Sequence, residues 1–347
     1  MSSNVKACDP GTMFFQVAEM QDDGQINIKT TRNAFVELAE SEDIEEVLRQ
    51  NQWQYVRDDN KYYVIGEDSL RVAKMFPGKV ELRRPLQGGV LNKGEEKKML
   101  ILAELIKSSI GTPPDDSSLV CFCVSSSSVD GSVDSTFHKA RLTGMFKRLG
   151  WNTKVIEEGM AIVLSERPVV VDSDGVESPY SGLGISFGAG RTNCVLAYKG
   201  LQIVGMSVAR GGDYIDKRVS EQTDVPLSQV TSKKERYLDF NNVDYDDDVI
   251  FALDAYYGAT IEFVFTHFAK QFAKVKSEFD APLEIVVAGG TSMPKGFCKK
   301  IEQTIQGLDL PFDIKEVRRA KDPMNAVVKG CLVQATISQK KIKNNAE

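Results

Sequence analysis

The sequence predicts an α/β protein built from two repeated domains, and three observations lead to that prediction. Short apolar segments without polar interruption, such as LVCFCV at 119–124 and LEIVVA at 283–288, are typical of fully buried strands. Helical periodicities alternate with these strands, which favours parallel sheets covered by helices. A strand–turn–strand–turn–strand pattern also occurs near the start of each half, first over 5–30 and again over 185–208.

Size and composition limit the possible classes of protein. At 347 residues the chain exceeds one ordinary domain, so we expect two domains that each bury a core. Hydrophobic residues make up 42% and charged residues 27%, which is typical of a soluble globular protein. The net charge of −6 argues against nucleic acid as a direct partner. We find no apolar run of the ~20 residues that a transmembrane helix needs and no secretory signal, so we expect a cytoplasmic protein.

Cysteine and histidine usage argues against a zinc site or a histidine-based triad. The six cysteines lie mostly in apolar segments and lack metal-ligand spacing, and the two histidines are far apart in the chain. We therefore expect reduced, buried thiols.

The turns of the two repeated patterns are candidate phosphate-binding segments. In the first, Asp9-Pro10-Gly11-Thr12 joins two strands, and Asp9 is either the holder of a metal-bound water or an acidic turn residue. In the second, Gly188-Ala189-Gly190 is too small to continue a strand, and its bare backbone N–H groups suit an anion.

Two further glycine turns precede helices. Gly211-Gly212-Asp213 opens a helix, and a helix N-terminus is a ready anion site. Gly289-Gly290-Thr291 follows the buried strand 283–288, at the sheet edge where ligands bind. Glu157 and Glu158 stand between a strand and a helix, so one of them is a candidate for orienting water. The alternative is that both are acids favoured by the dipole of the helix start.

The first half contains further elements between these turns. An inserted lobe is predicted at 33–76, with a helix at 41–49, a strand at 62–66 and a helix at 67–72. A helix is also predicted at 95–109, because apolar side chains recur there at helical spacing. Another is predicted from about 133 to 149, because it follows a serine-rich loop.

The second half is predicted to contain a long helix and to end in a helix. Residues 221–247 are polar and poorly periodic, whereas a long core helix follows, with an apolar stripe from Ile250 to Val275. Pro294 marks the start of another helix, and Asp322-Pro323 caps a final helix at 324–338. The tail after Gln339 is expected to fray.

The order of these segments resembles the actin-like ATPases, and within them the bacterial filament proteins of the MreB and MamK kind. The likeness covers nearly the whole chain. The motifs that carry it are the first phosphate motif DPGT (9–12), the loop RRPLQGGVL (83–91), the connecting segment IEEGMAIVL (156–164), the second phosphate motif SFGAGRTN (186–193), the turn RGGDYID (210–216), the adenine- and ribose-flanking SKKERY (232–237) and the adenosine motif VVAGGTSMPKGF (286–297).

The resemblance implies an actin-like, ribonuclease H-like fold of two domains around a nucleotide cleft that holds ATP, or GTP, with Mg²⁺. It implies catalytic roles for Glu158, Asp9 and Ser186, with Asp9 holding the metal through water. The implied nucleotide-binding residues are Gly11, Thr12, Gly188, Ala189, Gly190, Arg191, Thr192, Gly211, Gly212, Asp213, Lys234, Glu235, Gly289, Gly290 and Thr291.

Two positions depart from the second phosphate motif of this family. Ser186 stands where the family has an aspartate, and Arg191 stands where it has a threonine. The aspartate helps to hold hydrated Mg²⁺ and the attacking water, which requires a negative charge that a hydroxyl cannot supply. We therefore expect nucleotide binding with slow hydrolysis, because Glu158 retains the water-orienting role.

The resemblance also predicts the domain boundaries and the function. Domain I would comprise 1–165 and 318–347, and domain II 166–317 with an inserted lobe at 217–275. The predicted function is a cytoskeletal protein that assembles head to tail into filaments, with longitudinal contacts through the two inserted lobes and possible protein adaptors. The alternatives are a non-polymerising nucleotide-gated adaptor, such as the actin-like component of type IV pilus assembly, and a sugar kinase of the same superfamily.

Overall fold

The computed structural model describes residues 4–91, 96–132, 135–275 and 282–344. These residues form two compact units, which we describe separately. The described residues of the first lie within Met1–Phe122, Thr136–Val155 and Ala335–Glu347, and those of the second lie within Cys123–Ser135 and Ile156–Gln334. The units are clusters of contacting residues; the predicted domain boundaries remain a prediction.

The first half of the chain supplies eight strands and four helices to the described structure. The strands are β1 (Val5–Pro10), β2 (Phe14–Met20), β3 (Ile26–Arg32), β4 (Phe35–Ala39), β5 (Tyr55–Asp58), β6 (Lys61–Ile65), β7 (Leu119–Val124) and β8 (Asn152–Glu157). The helices are α1 (Glu42–Gln50), α2 (Glu67–Met75), α3 (Glu96–Ile110) and α4 (Thr136–Arg148).

The second half supplies seven strands, six α-helices and a short 3₁₀ turn. The strands are β9 (Val169–Val171), β10 (Glu177–Pro179), β11 (Gly182–Phe187), β12 (Thr192–Tyr198), β13 (Leu201–Val208), β14 (Leu283–Ala288) and β15 (Ile314–Arg319). The helices are α5 (Glu158–Glu166), α6 (Gly212–Thr223), α7 (Leu227–Tyr237), α8 (Asp248–Phe272), α9 (Phe297–Ile305) and α10 (Ala326–Asn344), and the 3₁₀ turn is Gly290–Ser292.

The two large sheets have the same strand order, so the predicted repeat is confirmed at the level of topology. The first sheet is ordered β3-β2-β1-β7-β8 and the second β13-β12-β11-β14-β15. In both, three strands form an antiparallel meander, and the first of them pairs in parallel with a strand from much later in the chain. A parallel partner needs a long crossover, which the intervening helices supply.

The inserted lobe forms a separate three-stranded sheet ordered β4-β6-β5. Alternate residues of its strands enter two clusters, as the two-residue period of a strand requires. Phe35 and Tyr63 pack with Leu105 of α3, whereas Val36 and Tyr62 pack with residues of α1 and α2. The sequence indicated one strand of this sheet; β4 and β5 were not predicted.

The core of the second unit lies between the second sheet and α8. The inner face of α8 carries Leu253, Tyr257, Ile261 and Phe265, all at most 1% exposed. By length and composition alone α8 also meets the requirements of a membrane-spanning helix, as core helices of globular proteins often do, and half of the relevant window is buried within the protein. The predicted stripe extended to Val275, but the helix ends at Phe272.

Several predicted boundaries were wrong, each for a local reason. Residues 227–237, read as irregular, form α7, whose single buried residue Val230 gives no periodic pattern. The helix expected from Pro294 begins at Phe297, after Gly296 in the left-handed region. The last helix begins at Ala326 and extends to Asn344 rather than fraying after Gln339. The amide of Gln339 donates to the carbonyl of Ser117 at 3.1 Å, which holds this part of the helix in place. The predicted starts of α3 at residue 95 and α4 at residue 133 lie outside the described residues.

One glycine sets the spacing between two helices of the second unit. A Cβ at Gly330 of α10 would lie 1.7 Å from the carbonyl oxygen of Ala161 in α5. We predict that Gly330→Ala destabilises the protein by about 1–3 kcal/mol or more, because the helices must separate. Thermal denaturation measures the effect.

The matched control is Gly258→Ala in α8, where the nearest atom to an added Cβ is Cε of Lys300 at 3.5 Å. Removing a helical glycine there should stabilise the protein by about 0.5–1 kcal/mol. Equal melting temperatures for Gly330→Ala and the parent protein would show that the helix contact relaxes freely.

Candidate functional site

Three turns of the second unit meet at one edge of its sheet. β11 and β14 are parallel, and β13 runs in the same direction because it is antiparallel to β12. The carboxyl ends of all three strands therefore open on the same edge, where ligands bind in α/β sheets. The turns that follow contain the predicted residues Gly188–Thr192, Gly211–Asp213 and Gly289–Thr291.

The carbonyl oxygen of Gly188 joins these three turns. It accepts hydrogen bonds from the backbone N–H of Gly212 at 3.0 Å and from the hydroxyl of Thr291 at 2.8 Å. The N–H of Asp213 donates to the carbonyl of Ala189 at 2.8 Å, and the N–H of Gly188 closes its own turn on the carbonyl of Arg191 at 2.9 Å. The structure thus brings the predicted glycine turns of this unit together through backbone contacts.

Side chains would not fit where these turns approach one another. A Cβ at Gly212 would lie 2.5 Å from the Thr291 hydroxyl. At Gly289, φ is +93° and a Cβ would lie 2.4 Å from the carbonyl of Phe187. Both the conformation and the space therefore require glycine at 289. Gly290 is exposed, whereas Thr291 is buried and its carbonyl accepts from the hydroxyl of Tyr257 at 3.1 Å.

Lys234 approaches the same region from α7. Its ammonium group lies 2.8 Å from the carboxylate of Asp216 in α6, in an ion pair that is nearly buried on both sides. A Cβ at Gly212 would be 3.2 Å from this ammonium, so the positive charge stands beside the start of α6. The neighbouring Glu235 is exposed on α7. Asp216 was not among the predicted site residues, although the RGGDYID motif ends on it.

A polar layer lies beside these turns on one face of the second sheet. Ser186, Asn193 and Ser207 are cross-strand neighbours on β11, β12 and β13, and each is at most 3% exposed. Arg191, 4% exposed, donates from Nη1 to the hydroxyl of Ser207 at 3.0 Å. Ser207 donates in turn to the carbonyl of Ser126 at 2.8 Å. We call these residues, with Ser125, Glu157 and Glu158, the polar layer.

Serine and amide groups satisfy the carboxylates at the edge of this layer. The hydroxyl of Ser126 and the amide of Gln202 both donate to Glu157. The hydroxyl of Ser125 lies 3.5 Å from the carboxylate of Glu158, which is the first residue of α5. Ser126 N–H donates to Oδ1 of Asn193 at 3.1 Å, while Nδ2 of Asn193 is buried without a hydrogen-bond partner. The layer therefore contains an unsatisfied donor.

Sequence reasoning found the two glutamates, Ser186 and Arg191 of this polar layer, but it missed Ser125, Asn193 and Ser207. The four serines at 125–128 predict only a loop between a strand and a helix, and Asn193 stands out only as the last residue of the second phosphate motif. One signal of this layer is present in the sequence. Side chains alternate between the two faces of a strand, so the small or polar residues 205 and 207 of the predicted strand 201–208 share one face of β13. Cross-strand register, which sets Ser207 beside Asn193, is not visible in the sequence.

The remaining predicted residues lie in the first unit. Asp9 is half-buried near the end of β1, and Gly11 and Thr12 form the turn to β2. The side chain of Asn33 donates to the carbonyl of Gly11 at 2.9 Å, and a Cβ at Gly11 would lie 3.7 Å from Oδ1 of Asp9. This turn resembles the turn after β11 in its place within the repeated sheet.

The side chains of the β11–β12 turn itself supply no ligand for a magnesium ion, and Asp9, the predicted holder of the metal, lies in the first unit. Mg²⁺ prefers octahedral oxygen ligands that include carboxylates. The turn instead follows a neutral hydroxyl, Ser186, and contains a buried guanidinium, Arg191. Among the described residues, no group of three or more histidine, cysteine, aspartate or glutamate side chains is placed to hold a metal.

Three comparisons relate this chain to known proteins. The Volactin family model matches residues 5–335. No curated protein gives a significant sequence match. Among solved structures, the one described as a MamK double helical filament has a TM-score of 0.67 at 17% identity, over 96% of this chain and 98% of that chain. MreB5 of Spiroplasma citri bound to AMPPNP gives 0.65 at 15% identity, over 98% of both chains. These similarities confirm the predicted actin-like fold.

The loop that carries the serines is fixed by Asp130. Burial raises the pKa of Asp130, but hydrogen bonds from Ser132, the N–H of Ala209 and Ser128 outweigh it and lower the pKa to about 2. A depressed carboxylate pKa adds stability above its unfolded value of 3.8, and that stability is lost as the pH falls toward 2. We predict that Asp130→Asn lowers the melting temperature near neutral pH, and that its difference from the parent shrinks below pH 3.8.

Melting curves across pH test this prediction, with Asp246→Asn, an exposed position of the same unit, as the control. A difference between Asp130→Asn and the parent protein that stays constant with pH would mean that the carboxylate charge is not what holds the loop.

Proposed function

Since this chain belongs to the Volactin family and has an actin-like fold, we propose that it binds ATP or GTP and assembles head to tail into filaments. Hydrolysis of the nucleotide would be slow. The cytoplasmic location and the use of protein adaptors remain predictions. A non-polymerising adaptor is retained only as an outcome of the test below, and no observation favours a sugar kinase.

The observation that carries nucleotide binding is the junction of three turns at the Gly188 carbonyl. Gly212 and Thr291 both donate hydrogen bonds to this one oxygen. These bonds hold together, at one edge of the sheet, the glycine-rich turns that follow three strands. Backbone N–H groups and a helix N-terminus bind phosphate without side chains in the way. The relatives that bear the names MreB5 and MamK are described as bound to AMPPNP or ADP, which supports the same ligand class here.

Slow hydrolysis follows from the side chains of the polar layer. Glu158 stands at the start of α5 with the carboxylate that is suited to orient a water molecule. Ser186 lacks the charge that would help to activate this water. We leave the predicted magnesium ion out of the proposal. Ser186 offers a neutral hydroxyl and Arg191 a positive charge, and neither is a good ligand for a divalent cation.

Exposed apolar side chains on both inserted lobes support self-association. In the first unit, Met75 and Phe76 at the end of α2 are 57% and 36% exposed. In the second, Tyr237, Tyr245 and Phe251 are 68%, 66% and 52% exposed, and the rings of Tyr245 and Phe251 are 6.1 Å apart. Exposed aromatic groups are common energetic centres of protein interfaces. The relative described as a MamK double helical filament supports assembly of this kind.

We predict that ATP or GTP raises the melting temperature, because the ligand binds only the native state. At about 100 times the dissociation constant, the gain is about 2.7 kcal/mol. For a chain of 347 residues that unfolds as one unit, this corresponds to a rise of roughly 4 °C. Adenosine and guanosine, which lack the phosphates, are the controls and should give little change. If neither nucleotide shifts the melting temperature and calorimetry detects no heat, nucleotide binding is refuted.

We predict that Phe251→Lys raises the critical concentration for filament assembly about tenfold or more, since tenfold corresponds to the loss of about 1.4 kcal/mol per contact. Pelleting with nucleotide across a range of protein concentrations gives the critical concentration, and electron microscopy shows the polymer. The control is Leu201→Lys, which changes a 70% exposed leucine at the start of β13, outside the inserted lobes.

The outcomes of this pelleting experiment separate the two functions. A parent protein that pellets above a critical concentration, with only Phe251→Lys impaired, supports filaments with a contact in the second inserted lobe. A parent protein that remains monomeric in the supernatant at every concentration is the behaviour of an adaptor and contradicts filament assembly.

A further inference from the structure

The buried guanidinium of Arg191 lies in the turn that would meet the phosphates. This turn begins after Ser186 and Phe187, and the N–H of Gly188 closes it on the carbonyl of Arg191 itself. The backbone that is arranged for an anion and the positive charge therefore belong to the same four residues. Arginine suits such a site, because its planar guanidinium is weakly hydrated and binds phosphate through paired N–H donors.

The surroundings of Arg191 include hydroxyls and an amide donor as well as carboxylates. Ser186 and Ser207 are neutral, and Nδ2 of the buried Asn193 has no hydrogen-bond partner in the structure. The nearby carboxylates of Glu157 and Glu158 receive hydrogen bonds from Ser126 and Ser125. An unsatisfied buried donor is costly, and an oxygen ligand would satisfy it. The polar layer thus offers an oxyanion a buried guanidinium and an unsatisfied amide donor.

The next residue, Thr192, does not provide a further ligand. Its hydroxyl is 2.7 Å from the carbonyl of Arg210 and donates to it. This bond links the start of β12 to the segment after β13 and leaves Arg191 as the charged side chain of the turn. A divalent cation placed beside the turn would be repelled by the guanidinium, whereas a polyphosphate would be attracted.

We propose that Arg191 supplies the positive charge that neutralises the phosphates of the bound nucleotide, so that this chain binds nucleotide without a divalent cation. The inference rests on the proposed nucleotide binding and names the counter-charge at that site. It predicts that affinity for the nucleotide does not depend on magnesium, whereas a site that binds the magnesium complex of the nucleotide loses affinity when magnesium is removed.

The test is calorimetric titration of the full chain with ATP and with GTP, in excess magnesium chloride and in excess EDTA. The parent protein should bind in EDTA with a dissociation constant within about threefold of that in magnesium, because its own arginine supplies the charge. Arg191→Thr should weaken binding in EDTA by about 10- to 100-fold, the range for losing a hydrogen bond to a charged group. Arg191→Lys keeps the charge without the planar pair of donors, and should fall between the two.

The double variant Ser186→Asp with Arg191→Thr restores the residues of the related motif. It should bind nucleotide in magnesium and lose affinity in EDTA, which reverses the behaviour of the parent. The melting temperature of each variant without ligand checks its folding, because Arg191 also holds Ser207. The comparison of the two buffers in the parent protein needs no variant, so a poorly folded variant does not obstruct the test.

Each outcome has one meaning. Parent binding that requires magnesium overturns the role of Arg191 and leaves nucleotide binding intact. Unchanged affinity of a folded Arg191→Thr protein in EDTA likewise overturns it. Absence of binding in both buffers refutes the proposed function, and this inference with it.

Discussion

The second unit depends on a single carbonyl oxygen at its sheet edge. Gly188 accepts from the backbone of one turn and the side chain of another, which uses both lone pairs of its oxygen. Each bond is worth only about 1 kcal/mol, but leaving a buried carbonyl unsatisfied costs more. Three connections that are distant in sequence are therefore fixed to one another at the carboxyl edge of the sheet, where the proposed nucleotide would bind.

The second sheet performs two tasks with its two faces. Ile185, Phe187, Cys194 and Met206 point into the apolar core with α8, and the residues between them form the polar layer. Because side chains alternate along a strand, a one-residue shift in register would exchange the two faces. The large buried core therefore fixes the position of the polar residues: packing that stabilises the fold also keeps Ser186, Asn193 and Ser207 in one row.

The sequence was sufficient where a local pattern determines structure. The buried strand 283–288 and the long apolar helix were predicted because a continuous or helical apolar pattern has few alternatives. The sequence did not predict α7, where only Val230 is buried. It also did not predict the end of α10, where Gln339 forms a hydrogen bond to a residue far away in the chain. In the site, glycine turns were visible, but the ion pair of Lys234 with Asp216 and the row of buried polar residues arise from tertiary contacts.

The repeated strand order has a consequence for how the protein folds. In each large sheet the meander consists of neighbouring strands, whose closure costs little chain entropy. By contrast, β14 pairs with β11 only after α6, α7 and α8 have been traversed. Contacts between residues so distant in sequence form slowly. We therefore expect the meanders to form early and the edge that bears the three turns to be completed last, so that an incompletely synthesised chain lacks the site until β14 has emerged.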